Sequence, residues 1–255
     1  MKYLKLFENF DAEQEMSDIL GYDVKLFHKA NKLLFLSPEE LQEWFEEEME
    51  KDEPNLDLIK ILETQHGIEF DFGDKDLCWA SLCDFVELAE YLLDRGADKE
   101  GGGWSFTPLH CAAMHDSERV AKLLIDAGAD KDAEDRDLRT PLHEAAKYDS
   151  EAVAKLLIDA GADKDAQDKE LRTPLHSAAD YFSERVAKLL IDAGADKDIQ
   201  DDYLQTPLHY AAYLDDEVIV KLLIDAGAKK DLADKNGKIP YDLAKSEELK
   251  NLLRP

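Results

Sequence analysis

Thr107-Pro108-Leu109-His110 returns as Thr140-Pro141-Leu142-His143, Thr173-Pro174-Leu175-His176 and Thr206-Pro207-Leu208-His209, at intervals of 33 residues. A worn fifth copy, Ile239-Pro240-Tyr241-Asp242, falls on the same schedule. Each phrase runs into a pair of alanines, first Ala112-Ala113, and each unit closes on Leu-Leu-Ile-Asp-Ala-Gly-Ala, first at Leu123 to Ala129. A period of this length is the signature of a solenoid, in which each unit buries its apolar face only against its neighbours.

The residue types explain the spacing. Thr107 suits an N-cap, and Pro108 suits the first helical position, where no N–H is needed. Leu109, Ala112 and Ala113 share one helix face, and the alanines let a neighbouring helix come close. Asp116 turns the chain. Ser117 is expected to cap a second helix with Glu118 in its first turn, and Val120, Leu123 and Leu124 form that helix's buried stripe. Gly128 supplies a left-handed stop. The polar residues up to Thr140 make an extended finger-like turn, with Asp135, Asp168, Asp201 and Asp234 as turn formers bonding nearby backbone N–H groups.

From Lys75 to the C-terminus this pattern resembles the ankyrin repeat family, carried by Thr-Pro-Leu-His-x-Ala-Ala, the closing Gly-Ala-Asp and the period. The resemblance implies an all-α solenoid of stacked helix-turn-helix units. One departure stands out. The family places glycine two residues before the threonine, where this chain has Leu138, Leu171 and Leu204, and only Gly237 conforms. Without glycine there, the finger tips are expected to turn differently.

Residues 1–36 are read as a helical extension of unassigned role. Residues 37–73 are read as a divergent helical cap, since Ser37-Pro38-Glu39-Glu40 is a helix start and Leu41, Trp44, Phe45 and Met49 follow at helical spacing. Glu43, Glu46, Glu47, Glu48 and Glu50 are expected on that helix's solvated face. The array occupies 74–255: a degenerate first repeat at 75–98, full repeats to 227, and a C-terminal cap at 235–255. The link before Thr107 is the least repeat-like spot, with Gly101-Gly102-Gly103 beside Trp104 and Phe106.

The 31 basic and 59 acidic residues give a formal net charge of −28. That argues against nucleic-acid backbones and anionic membranes as partners and permits a basic protein partner. The three cysteines, Cys78, Cys83 and Cys111, lack metal-site spacing and read as buried thiols of a reducing compartment. No apolar run approaches the ~20 residues of a membrane span, and the N-terminus lacks a secretory apolar core. A cytoplasmic monomer is expected. The opening Met1 to Phe10 faintly resembles starts common among tailed-phage proteins, and ankyrin arrays also occur in viruses and intracellular bacteria, where they engage host proteins.

The recurring histidines do not make a metal site. Stacked helices lie ~8–10 Å apart, whereas zinc–nitrogen bonds are ~2.0–2.1 Å. His110, His143, His176 and His209 instead read as bridges between backbone groups of adjacent turns. No phosphate loop, nucleophile elbow or singled-out acid–base pair points to catalysis, and no cofactor is implied.

Positions that differ between copies are free to specify a partner. By the resemblance, the finger turns and the exposed side of the first helices line a concave groove. The varying positions there are Trp104 and Tyr203; Phe106, Arg139 and Arg172; Met114, Lys147 and Tyr213; His115, Tyr148, Tyr181 and Leu214; and Tyr210. Aromatics and arginine dominate interface energetics. The expected function is therefore non-catalytic capture of a protein partner. The alternative is an acidic inhibitor or nucleic-acid mimic that captures a basic or DNA-binding protein, motivated by the net charge and the Glu43–Glu50 cluster. An enzyme within residues 1–73, where only His28 and His66 accompany the carboxylates, is the weakest reading.

Overall fold

The computed structural model describes residues 76–101 and 106–255, together with Glu43, Trp44, Glu47, Glu48, Asn55, Leu56, Asp57 and Ile59. The readings of 1–36, of most of 37–73 and of the link at Gly102-Gly103-Trp104-Ser105 fall outside the described residues. The chain divides into two units, Met1–Gly73 and Asp74–Pro255. In the first, Glu43, Trp44, Glu47 and Glu48 are helical, as are Leu56, Asp57 and Ile59. Glu48 departs from the expected solvated face: it is 2% exposed, and its Oε1 accepts a hydrogen bond from the Asn55 backbone N–H at 3.1 Å.

The second unit is a row of helix pairs with no strand among the described residues. The pairs are α1 (Asp76–Leu82) with α2 (Val86–Asp94), α3 (Pro108–Met114) with α4 (Glu118–Asp126), and α5 (Pro141–Tyr148) with α6 (Glu151–Asp159). They continue as α7 (Pro174–Asp180) with α8 (Glu184–Asp192), α9 (Pro207–Leu214) with α10 (Glu217–Asp225), and α11 (Pro240–Leu243) with α12 (Glu247–Leu253). Consecutive first helices pack on one another, and so do consecutive second helices. Leu109, Leu142, Leu175 and Leu208 are fully buried between them, each contributing ~1.5–3 kcal/mol. The alanine pairs are equally buried, and their small side chains permit the close approach.

The second helices α2, α4, α6, α8 and α10 end on a left-handed glycine, as the sequence predicts. Gly128 has φ +78°, and the Ala129 N–H turns back to Leu124 O at 2.9 Å, satisfying a carbonyl the helix leaves free. Its start differs from expectation. Ser117, Ser150 and Ser183 make no capping bond with their side chains. The cap comes from the preceding repeat. Oδ1 of Asp84 accepts from Val120 N–H at 3.0 Å, that of Asp116 from Val153 N–H at 3.0 Å, and that of Asp149 from Val186 N–H at 3.1 Å. These aspartates sit in left-handed turns with φ 53–54°, a region aspartate tolerates better than most residues. The column then breaks. Phe182 occupies the next left-handed turn, and α10 is capped by its own Asp216, whose Oδ1 accepts from Val218 and Ile219 N–H at 3.0 Å each.

The finger tips keep their turn despite the leucines. Leu138, Leu171 and Leu204 have φ 58–60° and Gly237 has φ 74°, so leucine is held where the family has glycine. The cause lies in the aspartate four residues before the finger's end. Asp135 Oδ1 accepts from Asp137 and Arg139 N–H at 2.7 and 2.9 Å, and Asp135 N–H donates to Arg139 O at 2.9 Å. Asp168, Asp201 and Asp234 repeat the arrangement. Neighbouring fingers join by single backbone bonds, Lys169 N–H to Asp137 O, Asp202 N–H to Glu170 O and Lys235 N–H to Tyr203 O, at 2.9–3.0 Å. The local hydrogen bonds over-determine the turn and hold the leucine backbone against its own preference.

Candidate functional site

The shared histidines are committed to the scaffold. The Thr140 backbone N–H donates to Nδ1 of His143 at 3.1 Å, and a backbone amide can only donate. The ring proton therefore sits on Nε2, which donates to Arg172 O in the next repeat at 3.0 Å. His110, His176 and His209 bond in the same way to Arg139, Gln205 and Lys238 carbonyls. Burial pushes all four below the usual histidine range, His176 to about 4. In the degenerate first repeat Cys78 stands where the others have histidine, and its thiol donates to Phe106 O at 3.6 Å. Cys78 and Cys111 are buried, whereas Cys83 is only half-buried, unlike the expectation for all three. Among the described residues no group of three His, Cys, Asp or Glu side chains could hold a metal ion. Nor is any helix there long and apolar enough to cross a membrane.

The varying positions fall into two groups. Tyr148 and Tyr181 are each 50% exposed, at the C-terminal ends of α5 and α7, one repeat apart. Tyr203 and Tyr213 are exposed, with Lys235 Nζ 5.1 Å from the Tyr203 ring and Lys245 Nζ 5.1 Å from that of Tyr213. His115 is exposed, and Met114 and Leu214 are half-buried. Trp104 lies outside the described residues.

The second group is tied down. Phe106 packs at 5.9 Å on the His110 ring. The Tyr210 hydroxyl donates to Asp201 Oδ2 at 2.7 Å, its ring meets His176 edge-on at 5.8 Å, and burial pushes its hydroxyl pKa up. Arg172 donates to Asp168 Oδ2 at 3.2 Å and pairs with Glu170, while Arg139 lies 3.8 Å from the same Asp168 oxygen. These arginines brace adjacent fingers through a shared carboxylate.

Glu144 is the residue sequence reasoning passed over. It is 1% exposed, on the first helix α5, and its Oε2 has no hydrogen-bond partner. The nearest cation, Lys147 Nζ, is 4.0 Å away, beyond hydrogen-bond reach. Burial pushes the Glu144 carboxyl up, opposed by the charges of Lys147 and Arg139. The only sequence signal was that glutamate here replaces Cys111, Ser177 and Tyr210 of the other copies. Phe182, 55% exposed in a left-handed turn, was also missed; its signal was the break in the aspartate column.

A family model described as ankyrin repeats (3 copies) matches residues 51–135, 77–168, 132–201 and 175–253. No curated protein matched the sequence. The matches overlap to run from 51 to 253, beginning ahead of Lys75, and their helix-pair architecture is the one built above. The chain belongs to the ankyrin repeat family, whose repeats generally mediate protein–protein interaction.

Proposed function

We propose that this chain is a non-catalytic interaction module that binds a protein partner along the face formed by its first helices and fingers. The observation that carries this reading is the pair Tyr148 and Tyr181, half-exposed at equivalent places on successive first helices. Leaving two tyrosine rings in water forgoes burial of a large apolar surface, and tyrosine is enriched among the residues that dominate interfaces. Tyr203 and Tyr213 extend the surface by a further repeat, and His115, Met114, Lys147 and Leu214 lie on the same positions of their repeats. Trp104 belongs to the set by its place in the sequence. Phe106, Arg139, Arg172 and Tyr210 support it by fixing the fingers.

The test is affinity capture with mass spectrometry, run with the full chain and with Tyr148→Ala/Tyr181→Ala. Both rings are exposed, so the double variant should keep its helical circular dichroism while losing capture of the partner. Two central aromatic anchors together are worth on the order of 3 kcal/mol or more, over a hundredfold in affinity. Undiminished capture by a folded double variant would falsify the assignment of this face.

A further inference from the structure

Resting on that reading, we propose that the slot bounded by Tyr148, Tyr181 and Glu144 receives a lysine side chain from the partner, and that Lys147 holds its place in the free protein. Lys147 Nζ lies 5.0 Å from the Tyr148 ring centroid and 5.6 Å from that of Tyr181. Both distances are within the range at which an ammonium is attracted to an aromatic face. The two rings come from different repeats, so the stacking of α5 and α7 assembles the slot.

The occupant fits incompletely. Lys147 stands three residues after Glu144 on the same short helix, and its ammonium stops 4.0 Å from Oε2. That carboxylate oxygen is thus buried with no hydrogen bond. A buried acceptor left without a donor is costly, and more so when it is charged. A lysine entering from outside can bring its ammonium to ~2.8 Å from Oε2 while lying on the same rings. Lys147 is partly exposed already, at 27% of its side chain, and its flexible stem can carry the charge into solvent. The net charge of −28 adds a longer-range attraction between the protein and a basic segment.

The test is a titration of a fluorescently labelled oligolysine peptide into the full-length protein, read by anisotropy. At about 0.15 M salt, exposed charges are screened beyond ~8 Å. Each slot variant is paired with an exposed second-helix control that makes the same charge change: Glu144→Gln with Glu184→Gln, and Lys147→Ala with Lys155→Ala. Glutamine keeps the volume of Glu144 and removes a buried charge, so the fold should survive. We expect Glu144→Gln to weaken binding about tenfold and Lys147→Ala to tighten it about threefold, with both controls within about twofold of wild type. No binding by wild type overturns the proposal, as does either slot variant behaving like its control. If the slot variants are silent while Tyr148→Ala/Tyr181→Ala still abolishes partner capture, the lysine slot falls and the binding face stands. If that double variant keeps capture, both fall.

Discussion

The break in the aspartate column at Phe182 permits a quantitative test of how the repeats are joined. Three second helices take their N-terminal cap from the preceding repeat, through Asp84, Asp116 and Asp149. The fourth, α10, takes it from Asp216, because the position that should reach across holds Phe182. Replacing Asp216 by alanine leaves the Val218 and Ile219 amides without their acceptor. An N-cap of this kind is worth ~0.5–2 kcal/mol. Asp216 Oδ2 is buried without a partner, and losing it offsets part of that cost, so the expected destabilisation is about 1 kcal/mol. In a Phe182→Asp background, the new carboxylate stands where Asp149 stands relative to Val186, which makes Ile219 N–H its target. Asp216→Ala should then cost only a few tenths of a kcal/mol, a coupling of about 0.7 kcal/mol against an additivity error of ~0.3–0.5. Phe182→Asp alone should stabilise the protein by several tenths, since an aromatic residue in a left-handed turn carries a strain of ~1–2 kcal/mol. Urea unfolding of the four proteins gives the cycle. Native-state hydrogen exchange at Ile219 gives a local readout that does not depend on the array unfolding in one step. Additive single effects, or an Ile219 amide left unprotected in the double variant, would refute the relayed cap.

Acid should weaken the stack through its histidines. His176 has a folded pKa of about 4 against 6.5 for the free side chain, so between those values the unfolded chain binds more protons than the folded one. Stability from this group is fully present above pH 6.5 and is lost toward pH 4, by up to about 3 kcal/mol. Glu144 and Asp180, raised by burial, act in the opposite sense, so the diagnostic is a shallower pH slope of stability in His176→Gln than in wild type. Gly161→Ala should lower stability by about 1 kcal/mol in urea unfolding. Its φ is +79°, and an added Cβ would meet no atom within 4 Å, so backbone strain is the whole effect and a neutral result would count against the left-handed stop.

The 33-residue period, the proline-started helices, the left-handed glycine stops and the bridging histidines were all legible in the chain. Each depends on residues close together in sequence, or on one residue repeated at a fixed interval. The finger tips show where this reasoning fails. Leu138 argues against a left-handed turn by its own propensity, yet Asp135 binds two following amides and the neighbouring finger adds a third bond, and together these outweigh the strain. The serine caps failed for a related reason: the acceptor that wins comes from 36 or 37 residues away, across a repeat interface.

The unit, its period and the columns along which the copies differ are readable from the chain alone, because helix starts, stops and apolar stripes are properties of neighbouring residues. Which members of those columns face solvent is set by the packing of repeat on repeat. Tyr210 and Tyr148 are both tyrosines at varying positions, but one is bound to Asp201 and packed on His176 while the other stands half in water. That difference is created when one repeat docks on the next.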